Sequence, residues 1–238
     1  MRVVDAPFSS GATWIKQAFG LFIARPGAWV SLISLWFLLS MAIMIFPGIG
    51  PPITYMIQPA LFAGFVLAAR DQQAGLPFTA AHLFAGFRAN GRALVTLGSI
   101  TLLTELLVGL IFVAIDFPKL PAGPLGLPDT RALPALMEGR AGILMLGAGV
   151  VFLLMLAIKG LLWFATPLLA LNEMSIGHAI RWSFYAFVAN IFPLIWFGIL
   201  MLIVFFLGAS AMGLGLLVAL PIYALAHYVS YQQVFRDD

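Results

Sequence analysis

Apolar runs free of charge recur along the chain, separated by short stretches rich in proline, glycine or charge. Several of these runs reach the ~20 residues that an α-helix needs to cross a hydrocarbon core ~30 Å thick. They predict six spanning helices at about 27–46, 52–69, 93–115, 149–171, 192–207 and 213–231. Between the first two stands PGIGPP (47–52), whose prolines cannot continue a helix, and GASAMG (208–213) breaks the last two in the same way.

The pattern repeats. FIARPGAW (22–29), FRANGRAL (87–94) and FVANIFPL (187–194) precede the first, third and fifth spans, each reading Phe, any residue, Ala, then Arg or Asn. PALFAG (59–64), PLLAL (167–171) and PIYALA (221–226) lie inside the second, fourth and sixth. The unit is a lead-in segment followed by a helical hairpin with proline in its returning arm. Three units are expected, at about 13–70, 79–171 and 175–231, within a single membrane domain over 1–238.

The lead-ins carry helical periodicity. Trp14, Ile15, Ala18, Phe19 and Phe22 fall on one face of the first, with Thr13, Lys16, Gln17 and Gly20 opposite. In the third, with Ser175 as N-cap, Ile176, Ile180, Phe184 and Phe187 oppose His178, Arg181 and Tyr185. Amphipathic helices with a basic rim dock at the headgroup boundary. On that reading Trp14, Lys16, Arg25, Arg88, Arg92 and Arg181 are interfacial lipid contacts. The alternative makes the lead-ins cytoplasmic extensions of the spans, bent at Pro26 and Pro193.

Composition turns this pattern into a class. Of 238 residues 63% are hydrophobic and 9% charged, with a mean hydropathy of +1.07. A water-soluble domain of this size needs far more charge to cover its surface. The fold class expected is an all-α integral membrane protein of six transmembrane helices in three hairpin repeats, each preceded by an amphipathic interfacial helix. The N-terminal stretch does not read as a cleaved signal, because its apolar run comes late and ends in FPGIGPP. Arg2, Lys16, Arg25, Arg70, Arg88, Arg92, Arg181 and Arg236 fall on one side of the layout, whereas Lys119, Arg131 and Arg140 fall on the other beside Asp116, Asp129 and Glu138. The positive-inside rule then makes both termini cytoplasmic, in a bacterial inner membrane, and leaves a proline-rich external loop at about 116–141. The net charge of +3 is dispersed rather than gathered in a stripe, so nucleic acid is not an expected partner.

FPGIGPPITYMIQPALFAG (46–64) and NEMSIGHAIRWSFYAFVAN (172–190) resemble segments of a family of six-span proteobacterial inner-membrane proteins of unknown function. The repeated layout is similar, more distantly, to the membrane region attached to some bacterial glycerophosphodiester phosphodiesterases. The resemblance implies a fold and a location, and supplies no catalytic positions.

Two charges lie deep in the apolar runs. Glu105 is about twelve residues into its span, ~18 Å from the start, and an isolated charge at a helix centre costs at least ~2.5–3.5 kcal/mol. Gly98, Thr101 and Gly109 share its face, a small and polar stripe that admits another helix. Lys159 sits level with Glu105 if its span ends at Leu171, but nearer the outer face if the repeats are aligned on Pro51. A Glu105–Lys159 pair and a snorkelling lysine are both open. Tyr55, Gln58 and His227 are the remaining intramembrane polar groups that a proton or ion path would use.

No chemistry follows from the other residues. There are no cysteines, and His82, His178 and His227 lack the spacing of metal ligands. GAGVV and GLGLL lack the six-residue dinucleotide fingerprint, and no serine occupies a nucleophile elbow. No enzyme, no cofactor and no metal are expected. Three hairpins fit poorly with carriers built from two halves. The expected function is that of a non-catalytic accessory, assembly or scaffold component packing against membrane lipid, a membrane-protein partner complex or a second copy of itself. The alternative is a small-solute, ion or lipid transporter or channel using Glu105 and Lys159.

Overall fold

The computed structural model describes residues 1–116, 121, 129–210 and 213–236, so Lys119 and much of the loop expected over 116–141 lie outside the described residues. The chain forms two compact units, Met1–Thr101 with Gly160–Asp238, and Leu102–Lys159.

The first unit begins with strand β1 (Arg2–Val3) and continues through helices α1 (Ser10–Ala24), α2 (Pro26–Met44) and α3 (Gly50–Gln73). A 3-10 turn (Ala80–Phe84) leads into α4 (Ala85–Ala114), which carries the chain into the second unit. After α6 (Ala141–Leu161) brings it back come α7 (Ala165–Leu171), α8 (Ile176–Ala189), α9 (Ile191–Ser210), α10 (Leu216–Val234) and strand β2 (Phe235–Arg236). The second unit holds the ends of α4 and α6 and, between them, the short helix α5 (Leu133–Met137).

Five helical stretches are long and apolar enough to cross a membrane among the described residues: Pro26–Met44, Gly50–Gln73, Ala80–Ala114, Ala141–Leu171 and Ile191–Ser210. The architecture is therefore all-α with several candidate spans. The region expected as a sixth span is helical too, as α10, but falls outside this set. Its inward position explains its composition: Ala219, Pro221, Ile222, Ala224, Leu225, Ala226, His227, Tyr228, Val229 and Ser230 are all buried. A helix surrounded by other helices can keep polar groups that lipid would reject.

The fourth predicted span differs in both limits and continuity. Its helix starts at Ala141 rather than near 149, and a turn at 162–164 separates α6 from α7. Pro167 has no N–H for the carbonyl one turn earlier, which is where the helix opens. Ser183 of α8 fills the gap, its hydroxyl accepting from Phe164 N at 3.0 Å and donating to Leu161 O at 2.6 Å. Pro59 and Pro221 stay inside α3 and α10.

At the fourth residue of each repeated motif the backbone leaves helical geometry: Arg25 (φ −145°, ψ 59°), Asn90 (φ −154°, ψ 52°) and Asn190 (φ −117°, ψ 26°). Each lead-in then packs on a returning arm. The first, α1, lies on α10 and α9, where a Cβ on Gly11 would fall 2.6 Å from Pro193 O. The second lies on α3, where Gly86 abuts the Ala60 carbonyl and a Cβ on Gly64 would meet Leu83 O at 2.6 Å. The third, α8, lies on α7. The returning arms α3, α7 and α10 touch one another. Val4 N donates to Val234 O at 2.8 Å beside the antiparallel β1–β2 pair, which brings the two chain ends together.

The apolar faces of the first and third lead-ins, both expected at the headgroup boundary, are used differently. On the first, Trp14, Ala18 and Phe22 are buried against the protein while Phe19 is exposed. Ala179, Ser183 and Ala186 are buried on α8, while Phe184 is 45% exposed. Where lipid surrounds a protein, large apolar side chains gain little by turning inward, and small ones permit close helix contact.

The second unit joins the ends of α4 and α6. Arg140 closes its tip, donating to Ile115 O at 3.2 Å and Asp116 O at 3.0 Å while pairing with Asp116 Oδ2 at 3.1 Å. A guanidinium at these carbonyls satisfies acceptors that the end of α4 leaves without an intrahelical partner. Gly147 meets the Ile115 side chain.

Candidate functional site

Within the second unit, the two deep charges meet. Lys159 Nζ donates to Glu105 Oε1 at 3.0 Å. Glu105 lies nine residues before the end of α4, ~14 Å from it, which is about half the thickness of a ~30 Å hydrocarbon core. Sequence left open whether Lys159 pairs with Glu105 or snorkels away, and in the structure it pairs. The ammonium and carboxylate neutralise each other, which removes most of the cost of holding either alone in an apolar helix pair. About half of the lysine side chain remains exposed, against 23% for the glutamate.

The stripe expected beside Glu105 is only partly used. Thr101 turns its hydroxyl to its own helix, donating to Leu97 O at 3.3 Å. Gly98 abuts the backbone carbonyl of Met56 on α3, so a side chain there would collide with main chain. Gly109, in contrast, has nothing within 4 Å of where a Cβ would stand. Its presence does not bring a helix close.

The other intramembrane polar groups belong to the first unit. His227 on α10 stacks on Trp163 with ring centroids 3.4 Å apart and meets Phe62 edge-on at 4.6 Å. Its Nδ1 lies 3.2 Å from Tyr223 O. A carbonyl can only accept, so Nδ1 carries the hydrogen. Trp163 in turn donates to Ser230 Oγ at 3.2 Å, completing an aromatic core with a hydrogen-bonded rim. Gln58 has its Oε1 buried without a hydrogen-bond partner among the described residues, as do Trp36 Nε1 and Ser40 Oγ on α2. Tyr55 on α3 is engaged by a partner. No group of three or more His, Asp or Glu able to hold a metal occurs among the described residues.

Of the expected lipid contacts, Trp14 is misplaced. It is fully buried, its ring centroid 6.2 Å from that of Phe197 and its indole N–H donating to Gln233 Oε1 at 2.8 Å. An indole satisfied by a glutamine on α10 has no need of a headgroup. Arg25 is tied to the loop after α3, donating to Leu76 O at 3.1 Å. Lys16, Arg88, Arg92 and Arg181 are exposed.

The polar ties of the helix ends escaped the sequence reading. Trp29 donates to Gln72 Oε1 at 2.7 Å, and Gln72 donates onward to Leu21 O at 2.8 Å. Gln73 accepts from Tyr228 OH at 2.9 Å and from Gln232 at 2.7 Å. The Gln-Gln pairs at 72–73 and 232–233, each in the last turn of a proline-containing helix, are the signal that was there to be read. Asn190, fully buried, accepts from Ala6 N at 2.8 Å and donates to Val4 O at 3.2 Å, which anchors the N-terminal segment at the third junction.

Comparison with known proteins bears on location. The chain is 25% identical, over 253 aligned positions, to a probable inner membrane protein of Burkholderia thailandensis, covering 99% of this chain and 93% of that protein. Together with the apolar helices, this decides the class. The protein is a multi-pass inner-membrane protein. No protein-family model matches the chain. No solved structure matches it. The more distant likeness to the membrane region of glycerophosphodiester phosphodiesterases finds no support in these comparisons.

Proposed function

We propose that this inner-membrane protein is a non-catalytic, six-span accessory or scaffold component that packs against a membrane partner or lipid. The observation that carries the reading is the Glu105–Lys159 pair at 3.0 Å: the two deep charges saturate each other. A proton or ion path needs groups that exchange partners along a water-accessible route. Here His227, a further ionisable group of the interior, is fixed between Tyr223 O and the Trp163 ring.

The six-span arrangement with three hairpins has two supports. The β1–β2 pairing supports a common side of the membrane for both chain ends, hence an even number of crossings with α10 as the sixth. The three junctions, with similar backbone angles at Arg25, Asn90 and Asn190, and the docking of each lead-in on a returning arm favour the threefold repeat. The basic side chains favour the cytoplasm as that common side.

The transport alternative is separated by substituted-cysteine labelling, which is clean because the native chain has no cysteine. Single cysteines at Thr101, Glu105 and Gly109 are expected to resist a charged thiol reagent added to intact membranes. On the accessory reading, the chain also co-purifies with a defined partner from mild detergent. Rapid labelling at Glu105 would replace this reading with a transport pathway.

A further inference from the structure

The end of α3, the 3-10 turn and the start of α4 border an open cavity of about 480 Å³, lined by Arg70, Asp71, Thr79, His82 and Arg88, with Ala170 of α7 on its wall. Its carboxylate is already satisfied. Asp71 Oδ1 accepts from Arg70 Nε at 3.0 Å and Nη2 at 2.9 Å, and Oδ2 lies 3.2 Å from His82 Nε2. The tautomer follows from geometry. The Thr79 backbone N–H donates to His82 Nδ1 at 3.1 Å, so Nδ1 is the acceptor and Nε2 carries the hydrogen that Asp71 receives.

What remains is donor capacity with no acceptor. Arg70 Nη1 takes no part in the Asp71 pair. Arg88 is exposed and forms no ion pair among the described residues. The His82 backbone N–H donates to the Thr79 carbonyl at 2.9 Å, and the Thr79 hydroxyl has its own hydrogen to donate. Arg88 stands two residues before the Asn90 junction, where the second lead-in gives way to an apolar helix.

We propose that this cleft binds a phosphate-bearing anion, of the chemistry shared by an anionic phospholipid headgroup and a soluble phosphate. The free guanidinium fork of Arg88 matches two oxygens of a phosphate in direction as well as charge, Arg70 Nη1 adds a second charged donor, and Thr79 supplies a third. Asp71 acts as a positioning residue: it holds Arg70 by two nitrogens and turns the third outward. The site goes beyond the accessory reading and does not depend on it.

The test uses the full chain in nanodiscs of phosphatidylcholine, with or without phosphatidylglycerol, read by native mass spectrometry for retained lipid and by thermal shift with inorganic phosphate. The wild type is expected to retain phosphatidylglycerol. Arg88→Gln and Arg70→Gln should each weaken retention at least about tenfold, the size of a lost charge-assisted hydrogen bond. Arg88→Lys, which keeps charge but not the fork, should fall between, and Arg2→Gln should behave as wild type. Stabilisation by inorganic phosphate that Arg88→Gln abolishes identifies a soluble anion as the ligand. Its absence, with phosphatidylglycerol retained, identifies the lipid. Should Arg70→Gln misfold, Arg88→Gln decides alone. Equal retention in Arg88→Gln and wild type, with no phosphate effect on either, overturns the proposal, and so does an equal loss in Arg2→Gln.

Discussion

Replacing Glu105 by Gln, Lys159 by Met, and then both, asks whether the pair is one unit. The nitrogen and oxygen are 3.0 Å apart. Two unit charges ~4 Å apart attract by about 4 kcal/mol at an effective dielectric of ~20, and desolvation reduces the net gain. Loss of one partner of a deeply buried pair costs about 3–5 kcal/mol. Here half of the lysine side chain is exposed, and its long stem lets the charge reach toward the interface. A loss of about 2 kcal/mol is therefore expected for each single variant. Glu105→Gln strands a cation, and Lys159→Met strands an anion or forces the carboxyl to take a proton. The double variant strands neither and should be at least as stable as either single one. The coupling is expected at about 1–3 kcal/mol. Unfolding by sodium dodecyl sulfate in mixed micelles, followed by tryptophan fluorescence and circular dichroism, measures all four chains under one condition. Losses additive within about 0.5 kcal/mol would refute the reasoning and leave Lys159 as a snorkelling residue that happens to pass near Glu105.

Two other predictions concern packing and anchoring. Gly98→Leu should destabilise by about 1–3 kcal/mol, because its side chain would run into the Met56 carbonyl. Gly20→Ala, on a helix with nothing within 4 Å of the new methyl, should stabilise by about 0.5–1 kcal/mol through helix propensity; the same unfolding assay reads both, and equal effects would discount the close approach. Asn190→Ala removes the amide that holds Ala6 N and Val4 O. It should cost about 1–3 kcal/mol and expose the N-terminal segment to proteolysis, and an unchanged cleavage rate would show that the β1–β2 pair alone holds that segment.

The hydrophobic pattern alone was enough to assign the solvent, the helical class and most of the spans, because lipid forbids unpaired backbone and imposes length and composition on whatever crosses it. The motif shared by residues 22–25, 87–90 and 187–190 also marked, in sequence, three places where the backbone leaves helical geometry. Apolarity could not distinguish lipid-facing from protein-facing surfaces. Phe184, expected on a face toward lipid, is exposed, but the small-residue contact of Ala179, Ser183 and Ala186 was not foreseen, because a membrane protein selects small residues for closeness rather than large ones for burial. The interior status of α10 and Trp14 likewise depended on neighbours far away in sequence. The pairing of Glu105 with Lys159 needed the register of two helices whose residues are 54 positions apart. Composition records what surrounds a chain, whereas partnership between side chains is set by how helices pack and bend, which local sequence constrains only at its prolines, glycines and junction asparagines.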